Sequence, residues 1–142
     1  VGVSTAWGSF AKASNPTLRD VHEFIMVFSK GSPKLEPNGH QSGIRNDEFV
    51  EWTKSVWHFH TVSPKRAGHP APFPEALPRR LLFLYTNVGD LVLDPFIGSG
   101  TTAAVAVKEG RHFIGYDVVE EYCDVTRKRV EAIQHDEFNS SL

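Results

Sequence analysis

The sequence predicts an α/β fold, and three observations in its C-terminal part carry the prediction. Residues 91–94 are a short apolar run with branched side chains that ends in an acid. A tight segment with two glycines follows, and it passes into an alanine-rich helical run that ends at Gly110. Residues 111–117 are a second apolar run, again ending in an acid. Strand, glycine turn, helix and strand in this order predict a partial Rossmann-like sheet with flanking helices.

Composition places the chain among globular proteins. Of its 142 residues 40% are hydrophobic and 23% are charged, which is unlike a disordered chain. No apolar run approaches the ~20 residues needed to span a bilayer, and no signal peptide precedes the first strand, so we expect a cytoplasmic protein with no membrane partner. The single Cys123 excludes an internal disulfide, and no Cys/His spacing resembles a zinc site, so no metal is expected.

Residues 1–67 form two predicted segments ahead of that unit. In residues 1–30 a turn signal at residues 15–16 precedes the strand-like run 21–28, which predicts a strand hairpin of the sheet. Residues 31–67 begin with prolines and glycines that let neither helix nor strand run far, which predicts a loop or an insertion.

The aromatic run within this insertion, residues 49–59, allows two interpretations. It is either a short element that covers the core or a nucleic-acid contact surface, in which cations meet phosphates and an aromatic ring stacks on a base. Residues 1–90 carry ten Lys and Arg against eight Asp and Glu, and residues 91–142 carry five against nine; this small asymmetry permits the second interpretation without establishing it. The candidate contacts are Lys54, Trp57, Lys65 and Arg66.

Two helices are predicted around the central unit. Pro78 suits the first turn of a helix, with Arg79 and Arg80 on a solvated face. Leu77, Leu81, Leu84 and Tyr85 fall at helical spacing along one face of that helix. Residues 119–134 form a second, amphipathic helix with acids in its first turn, and residues 135–142 are predicted to be a frayed tail.

The glycine turn predicts a ligand. Gly98 and Gly100 let the backbone approach a bound molecule, and Asp117, 19 residues after Gly98, can accept hydrogen bonds from both hydroxyls of a ribose. Asp94 stands where a pyrophosphate would lie, which disfavours a nicotinamide dinucleotide. The same carboxylate suits a ligand with an ammonium and a sulfonium, and S-adenosylmethionine has both together with an adenosine ribose.

These residues resemble a known family. The runs 94–102, 115–117 and 121–122, with the proline-rich run 68–74 upstream, closely resemble the amino-methyltransferases of restriction-modification systems, which methylate adenine-N6 or cytosine-N4 in DNA. The order of these runs resembles the permuted subgroup, in which the cofactor half comes last. The resemblance implies that S-adenosylmethionine would bind at His69, Pro70, Ala71, Phe73, Asp94, Pro95, Phe96, Gly98, Ser99, Gly100, Thr101, Thr102 and Asp117.

The resemblance also implies a division of the chain and its partners. Residues 1–30 would be a hairpin of the methyltransferase sheet, 31–67 a target-recognition insertion and 68–142 the cofactor-binding subdomain. The family's catalytic signature, Asp/Ser-Pro-Pro-aromatic, does not occur in these residues, so no catalytic residue is assigned and we expect the chain to be inactive alone. The expected partners are double-stranded DNA and a catalytic segment on the same or another chain, with a homodimer left open. Two alternatives stay open: a DNA-binding or assembly module without catalysis, and a fragment of a nicotinamide-dependent oxidoreductase.

Overall fold

The computed structural model describes residues 14, 18, 20–36, 38–60 and 73–140. The chain divides into two units, Val1–Lys34 and Leu35–Leu142, and the regular elements described belong to the second. They are α1 (Asn46–Trp52), α2 (Ala76–Tyr85), β1 (Leu91–Asp94), α3 (Thr101–Lys108), β2 (His112–Gly115) and α4 (Glu120–Ser140). No helix in the described ranges is long and apolar enough to cross a membrane.

The two strands confirm the predicted strand, helix and strand unit. β1 and β2 pair in parallel, with Leu91 opposite His112 and Asp94 opposite Gly115. The pairing continues past the strand ends, because Tyr116 N–H donates to the Asp94 carbonyl (3.0 Å) and Ile97 N–H donates to the Tyr116 carbonyl (2.8 Å). The carboxyl ends of both strands therefore meet at one edge of the sheet.

Helix α3 joins the two strands and is held at both ends by glycines. Gly100 precedes it with φ +77°, a conformation in which a side chain would be strained. At the other end Gly110 has φ +71°, its N–H donates to the Val107 carbonyl, and the Arg111 N–H donates to the Ala106 carbonyl. This pair of bonds is a Schellman motif, so the predicted glycine end of the helix is confirmed.

The core is built around α3. Ala103, Ala104 and Ala106 are fully buried, and such small side chains let neighbouring elements approach closely. On one side Leu82 of α2 packs with Val105 and Ala106; on the other, Ile97 and Val130 of α4 pack with Ala103. Phe113 of β2 packs against both clusters and joins them.

The apolar face predicted for α2 is not its most buried face, although Leu77, Leu81 and Leu84 are half-buried. The residues that are buried on this helix are Pro78, Leu82 and Phe83, whereas Tyr85 is 50% exposed. The helical period was correct, but α2 lies between α1 and α3, and burial is decided by the side that these neighbours contact. A period fixes the spacing of a stripe, and only the packing fixes which stripe is buried.

Arg79 also differs from its prediction, since it is not on a solvated face. Its guanidinium donates to Glu48 (3.1 Å) and to Glu109 (2.8 Å), and it lies 4.6 Å from the centre of the Phe83 ring. Partial burial alone would lower the pKa of Arg79, but the two carboxylates outweigh burial and raise it. Arg79 therefore links α1, α2 and the end of α3.

Two terminal predictions need correction. Helix α4 continues to Ser140, so residues 135–140 are not a frayed tail; no glycine or proline interrupts the helix there, and the Ser140 hydroxyl donates to the Asp136 carbonyl at 2.7 Å. Residues 21–29 form no strand, and Phe24 and Phe28 are largely exposed. A strand needs a hydrogen-bonding neighbour, and the described residues of the first unit supply none. The predicted turn at residues 15–16 lies outside the described residues.

Candidate functional site

The site is the edge of the sheet where β1 and β2 end, and Asp94 and Asp117 both lie there. Asp94 is the last residue of β1, and its Oδ1 accepts the Phe96 N–H at 3.0 Å, which starts the turn. Asp117 follows β2 by two residues. Because the strands are parallel neighbours, two carboxylates are brought to the same edge as the glycine turn.

Asp117 binds the turn directly. Its Oδ2 accepts the N–H of Gly98 at 3.0 Å, and its Oδ1 accepts the N–H of Val119 at 3.0 Å. Gly98 itself has φ +50°. The carboxylate therefore has a fixed orientation and orders the glycine turn at the same time.

Helix α4 packs against the glycine turn through Thr126. A Cβ built on Gly100 would lie 2.6 Å from the Oγ1 and 2.8 Å from the Cγ2 of Thr126, so only glycine fits there. The buried Thr126 hydroxyl donates to the Gly98 carbonyl at 3.0 Å. Strand β2 approaches equally closely, since a Cβ on Gly115 would lie 2.7 Å from the Cγ1 of Ile97. These contacts, and not glycine freedom alone, set the shape of the turn.

A guanidinium completes the support. Arg129, one helical turn after Thr126, donates to the Ser99 carbonyl at 3.0 Å and to Glu75 at 2.8 Å. Lys108 also donates to Glu75, at 2.9 Å. Partial burial would raise the pKa of the Glu75 carboxyl, but these two cations outweigh burial and hold the pKa below its ordinary value.

The structure brings most of the predicted cofactor residues together. The two acids lie at the strand ends, the turn between them is buried from Ile97 to Gly100, and Thr101 begins α3 with 7% exposure. Phe96 points outward with 84% exposure, and Phe73, just ahead of α2, is 39% exposed. The members at or between the strand ends are Asp94, Pro95, Phe96, Gly98, Ser99, Gly100, Thr101, Thr102 and Asp117. His69, Pro70 and Ala71 lie outside the described residues, as do Lys65 and Arg66.

The other two candidate DNA contacts are already engaged within the chain. Lys54 is exposed and pairs with Glu51. The Trp57 indole N–H donates to the Trp52 carbonyl at 2.9 Å, and its ring lies 5.3 Å from the Arg80 guanidinium. Trp52 is buried against Phe83, with ring centres 5.8 Å apart. This arrangement favours the interpretation that the aromatic run covers the core.

Sequence reasoning missed Thr126, Arg129 and Glu75. One signal was available for two of them. Thr126 and Arg129 are spaced three apart on the same helix as the core residue Val130, and polar side chains next to a buried face need hydrogen-bond partners. For Glu75 no comparable signal exists, because its partners are 33 and 54 positions away.

Fold and site together define a Rossmann-like α/β protein with a glycine turn between two acidic strand ends. The chain belongs to the DNA methylase family of N6- and N4-methyltransferases, whose model matches residues 4–128. It is 34% identical over 122 residues to the type II methyltransferase M.MjaI of Methanocaldococcus jannaschii and 42% identical over 130 residues to M.BglI of Bacillus subtilis. These alignments cover 76% and 89% of this chain.

A solved structure has a similar fold. It is described as a putative DNA modification methylase of Thermus thermophilus in complex with S-adenosyl-L-methionine; it is 29% identical, with a TM-score of 0.59 over 70% of this chain. The chain spans 40% of the M.MjaI length, 36% of M.BglI and 39% of the Thermus protein. The matched relatives are therefore more than twice as long as the aligned part.

Proposed function

We propose that this chain is the S-adenosylmethionine-binding part of a DNA amino-methyltransferase that acts on adenine-N6 or cytosine-N4. The observation that carries the proposal is the ordered glycine turn between Asp94 and Asp117, at the carboxyl edge of two parallel strands. Ligands of open α/β sheets bind at such an edge. The Thermus structure, described as a complex with this cofactor, supports the choice of ligand.

The residues present fit that ligand by their chemistry. A carboxylate accepts several hydrogen bonds at once, so Asp117 suits the ribose hydroxyls, and the turn from Asp94 to Thr102 suits the cationic methionine part. Phe73, with His69, Pro70 and Ala71, would line the methionine end. The bound cofactor supplies a methyl group on a sulfonium; this chain holds and orients the donor.

The target amine needs further residues. The lone pair of an exocyclic amine is delocalised into its ring, which makes the amine a poor nucleophile. Hydrogen bonds to its two protons favour a more tetrahedral nitrogen, which can attack the sulfonium methyl in line. In the family the Asp/Ser-Pro-Pro-aromatic signature provides them, and these 142 residues do not contain it. We therefore propose that methyl transfer requires a catalytic segment on the same or another chain, and that the 142 residues alone are inactive.

The open face of the sheet supports such a partner. On the side opposite α3, Leu91 is 61% exposed, Leu93 62% and Ile114 41%, so the described residues leave much of this face uncovered. Parallel sheets of α/β proteins are covered on both faces. We assign this face to the catalytic segment of the methyltransferase, not to solvent.

We also propose that residues 31–67 contact DNA. Lys54, Lys65 and Arg66 would meet phosphates, and this stretch would serve in target recognition. The internal contacts of Trp57 argue that its ring supports the fold instead of stacking on a base.

Calorimetry tests the proposed ligand. We expect the chain to bind S-adenosylmethionine and not a nicotinamide dinucleotide. Asp117→Ala should weaken the binding about ten- to a hundred-fold, from the loss of roughly 1.5 to 3 kcal/mol of charge-assisted hydrogen bonds. Asp124→Ala is the matched control, because Asp124 is an exposed acid seven residues later whose described partner is Arg127. Equal affinity of wild type and Asp117→Ala would place the ribose elsewhere.

A methyl-transfer assay tests the rest. Transfer of labelled methyl groups to unmethylated DNA by the 142-residue chain would contradict the need for a catalytic segment. DNA binding without any S-adenosylmethionine binding would favour the non-catalytic module instead.

A further inference from the structure

Arg129 connects two parts of the chain that are far apart in sequence. One of its terminal nitrogens donates to the Ser99 carbonyl at 3.0 Å and, at a longer 3.4 Å, to the Thr101 hydroxyl. The other donates to Glu75 at 2.8 Å. Glu75 precedes α2 and follows Phe73 by two residues, so one guanidinium contacts both the glycine turn and the Phe73 segment.

Arg129 adds a further side-chain constraint to the glycine turn, beside those from Asp117 and Thr126. Gly98 and Gly100 both have positive φ, and glycine adopts many other conformations at little cost. The Ser99 carbonyl and the Gly100 N–H belong to one planar peptide, and that N–H donates to the Ile97 carbonyl at 2.9 Å. The bond from Arg129 therefore fixes the other side of the same peptide. A guanidinium is a planar fork with a permanent charge, and the Arg129 side chain is only 32% exposed.

From this geometry we propose that Arg129 is a positioning residue for cofactor binding. It holds the peptide between Ser99 and Gly100 and the segment at Phe73 in one arrangement, so that the turn is ordered before the ligand arrives. A preorganised turn loses less conformational freedom on binding, and affinity rises accordingly. This inference rests on the proposed function, because it concerns S-adenosylmethionine at the same site.

The test compares three variants of the 142-residue chain. Arg129→Met removes the donors, Arg129→Lys keeps the charge with a different geometry, and Arg127→Met removes an exposed arginine on the same helix whose described ion pair is with Asp124. S-adenosylmethionine affinity is measured by calorimetry, urea unfolding reports stability, and the ¹⁵N amide signals of Gly100 and Gly110 report local order. The Gly110 signal is the internal reference, since that glycine is at the other end of α3.

We expect Arg129→Met to weaken the affinity about ten-fold, with a broadened or shifted Gly100 amide and an unchanged Gly110 amide. Arg129→Lys should recover part of the affinity, and Arg127→Met should bind like wild type. Should Arg129→Met fail to fold, Arg129→Lys takes its place: a single ammonium cannot bond the Ser99 carbonyl and Glu75 as the planar fork does, and we expect a smaller loss of affinity.

Two negative results differ in meaning. If wild type binds S-adenosylmethionine and Arg129→Met, or its replacement Arg129→Lys, binds equally well, the positioning role is overturned and the proposed function stands. If wild type does not bind S-adenosylmethionine, the proposed function is overturned, and the positioning role with it.

Discussion

Substitution of Gly100 by alanine tests the close contact between the glycine turn and α4. At φ +77° a side chain costs about 1 to 2 kcal/mol. The new Cβ would also lie 2.6 Å from Thr126 Oγ1 and 2.8 Å from Cγ2, and overpacking of this kind adds about 1 to 3 kcal/mol. We expect Gly100→Ala to lower the free energy of unfolding by about 2 to 5 kcal/mol in total.

Gly39→Ala separates the two contributions. Gly39 has φ +84°, and a Cβ placed there would meet no described heavy atom within 4 Å, so only the backbone cost of about 1 to 2 kcal/mol applies. The measurement is urea unfolding followed by circular dichroism and tryptophan fluorescence. Thr126→Ala removes the two nearest atoms and also the hydrogen bond to the Gly98 carbonyl. We expect it to cost about 1 kcal/mol or more less in the Gly100→Ala background than in the wild type. Equal costs at Gly100 and Gly39, together with additive effects of Gly100→Ala and Thr126→Ala, would refute the steric argument.

Three further predictions concern stability. Leu93→Lys should leave the stability of the chain nearly unchanged because Leu93 is on the open sheet face, whereas Val92→Lys should unfold it because Val92 faces the core. Thermal unfolding measures both, and a similar loss of stability in the two variants would contradict the assignment of Leu93 to an open face. Arg111→Met should cost about 3 kcal/mol in urea unfolding, because the buried guanidinium bonds three backbone carbonyls that would lose their donor; a loss under about 1 kcal/mol would contradict this. The pKa of Glu75 is held below its ordinary value of 4.5, so its contribution to stability is present above about pH 4.5 and is lost as the pH falls through the lower folded pKa. The difference in thermal midpoint between wild type and Glu75→Gln should therefore be largest near neutral pH and shrink in acid, and a constant difference would contradict the assignment.

Local sequence patterns were sufficient to predict the central unit and the residues at its edge. Two short apolar runs, a glycine pair and Gly110 at the helix end are local signals, and each acts through neighbouring residues in the chain. They were enough to predict β1, α3 and β2 and to place Asp94 and Asp117 at one edge, because parallel strands joined by a helix end on the same side.

Packing between elements that are distant in sequence sets which faces are buried and which residues hold the turn. The period of α2 was evident, yet its buried side depended on the positions of α1 and α3. The run at residues 21–29 has strand-like side chains, but a strand also needs a neighbour for its hydrogen bonds, and none is described in its unit. The contacts of Thr126 and Arg129 with the glycine turn span about thirty positions, and Arg129 meets Glu75 across 54. Such contacts depend on how helices pack, which local sequence patterns do not specify, and for that reason the support of the turn emerged only from the folded chain.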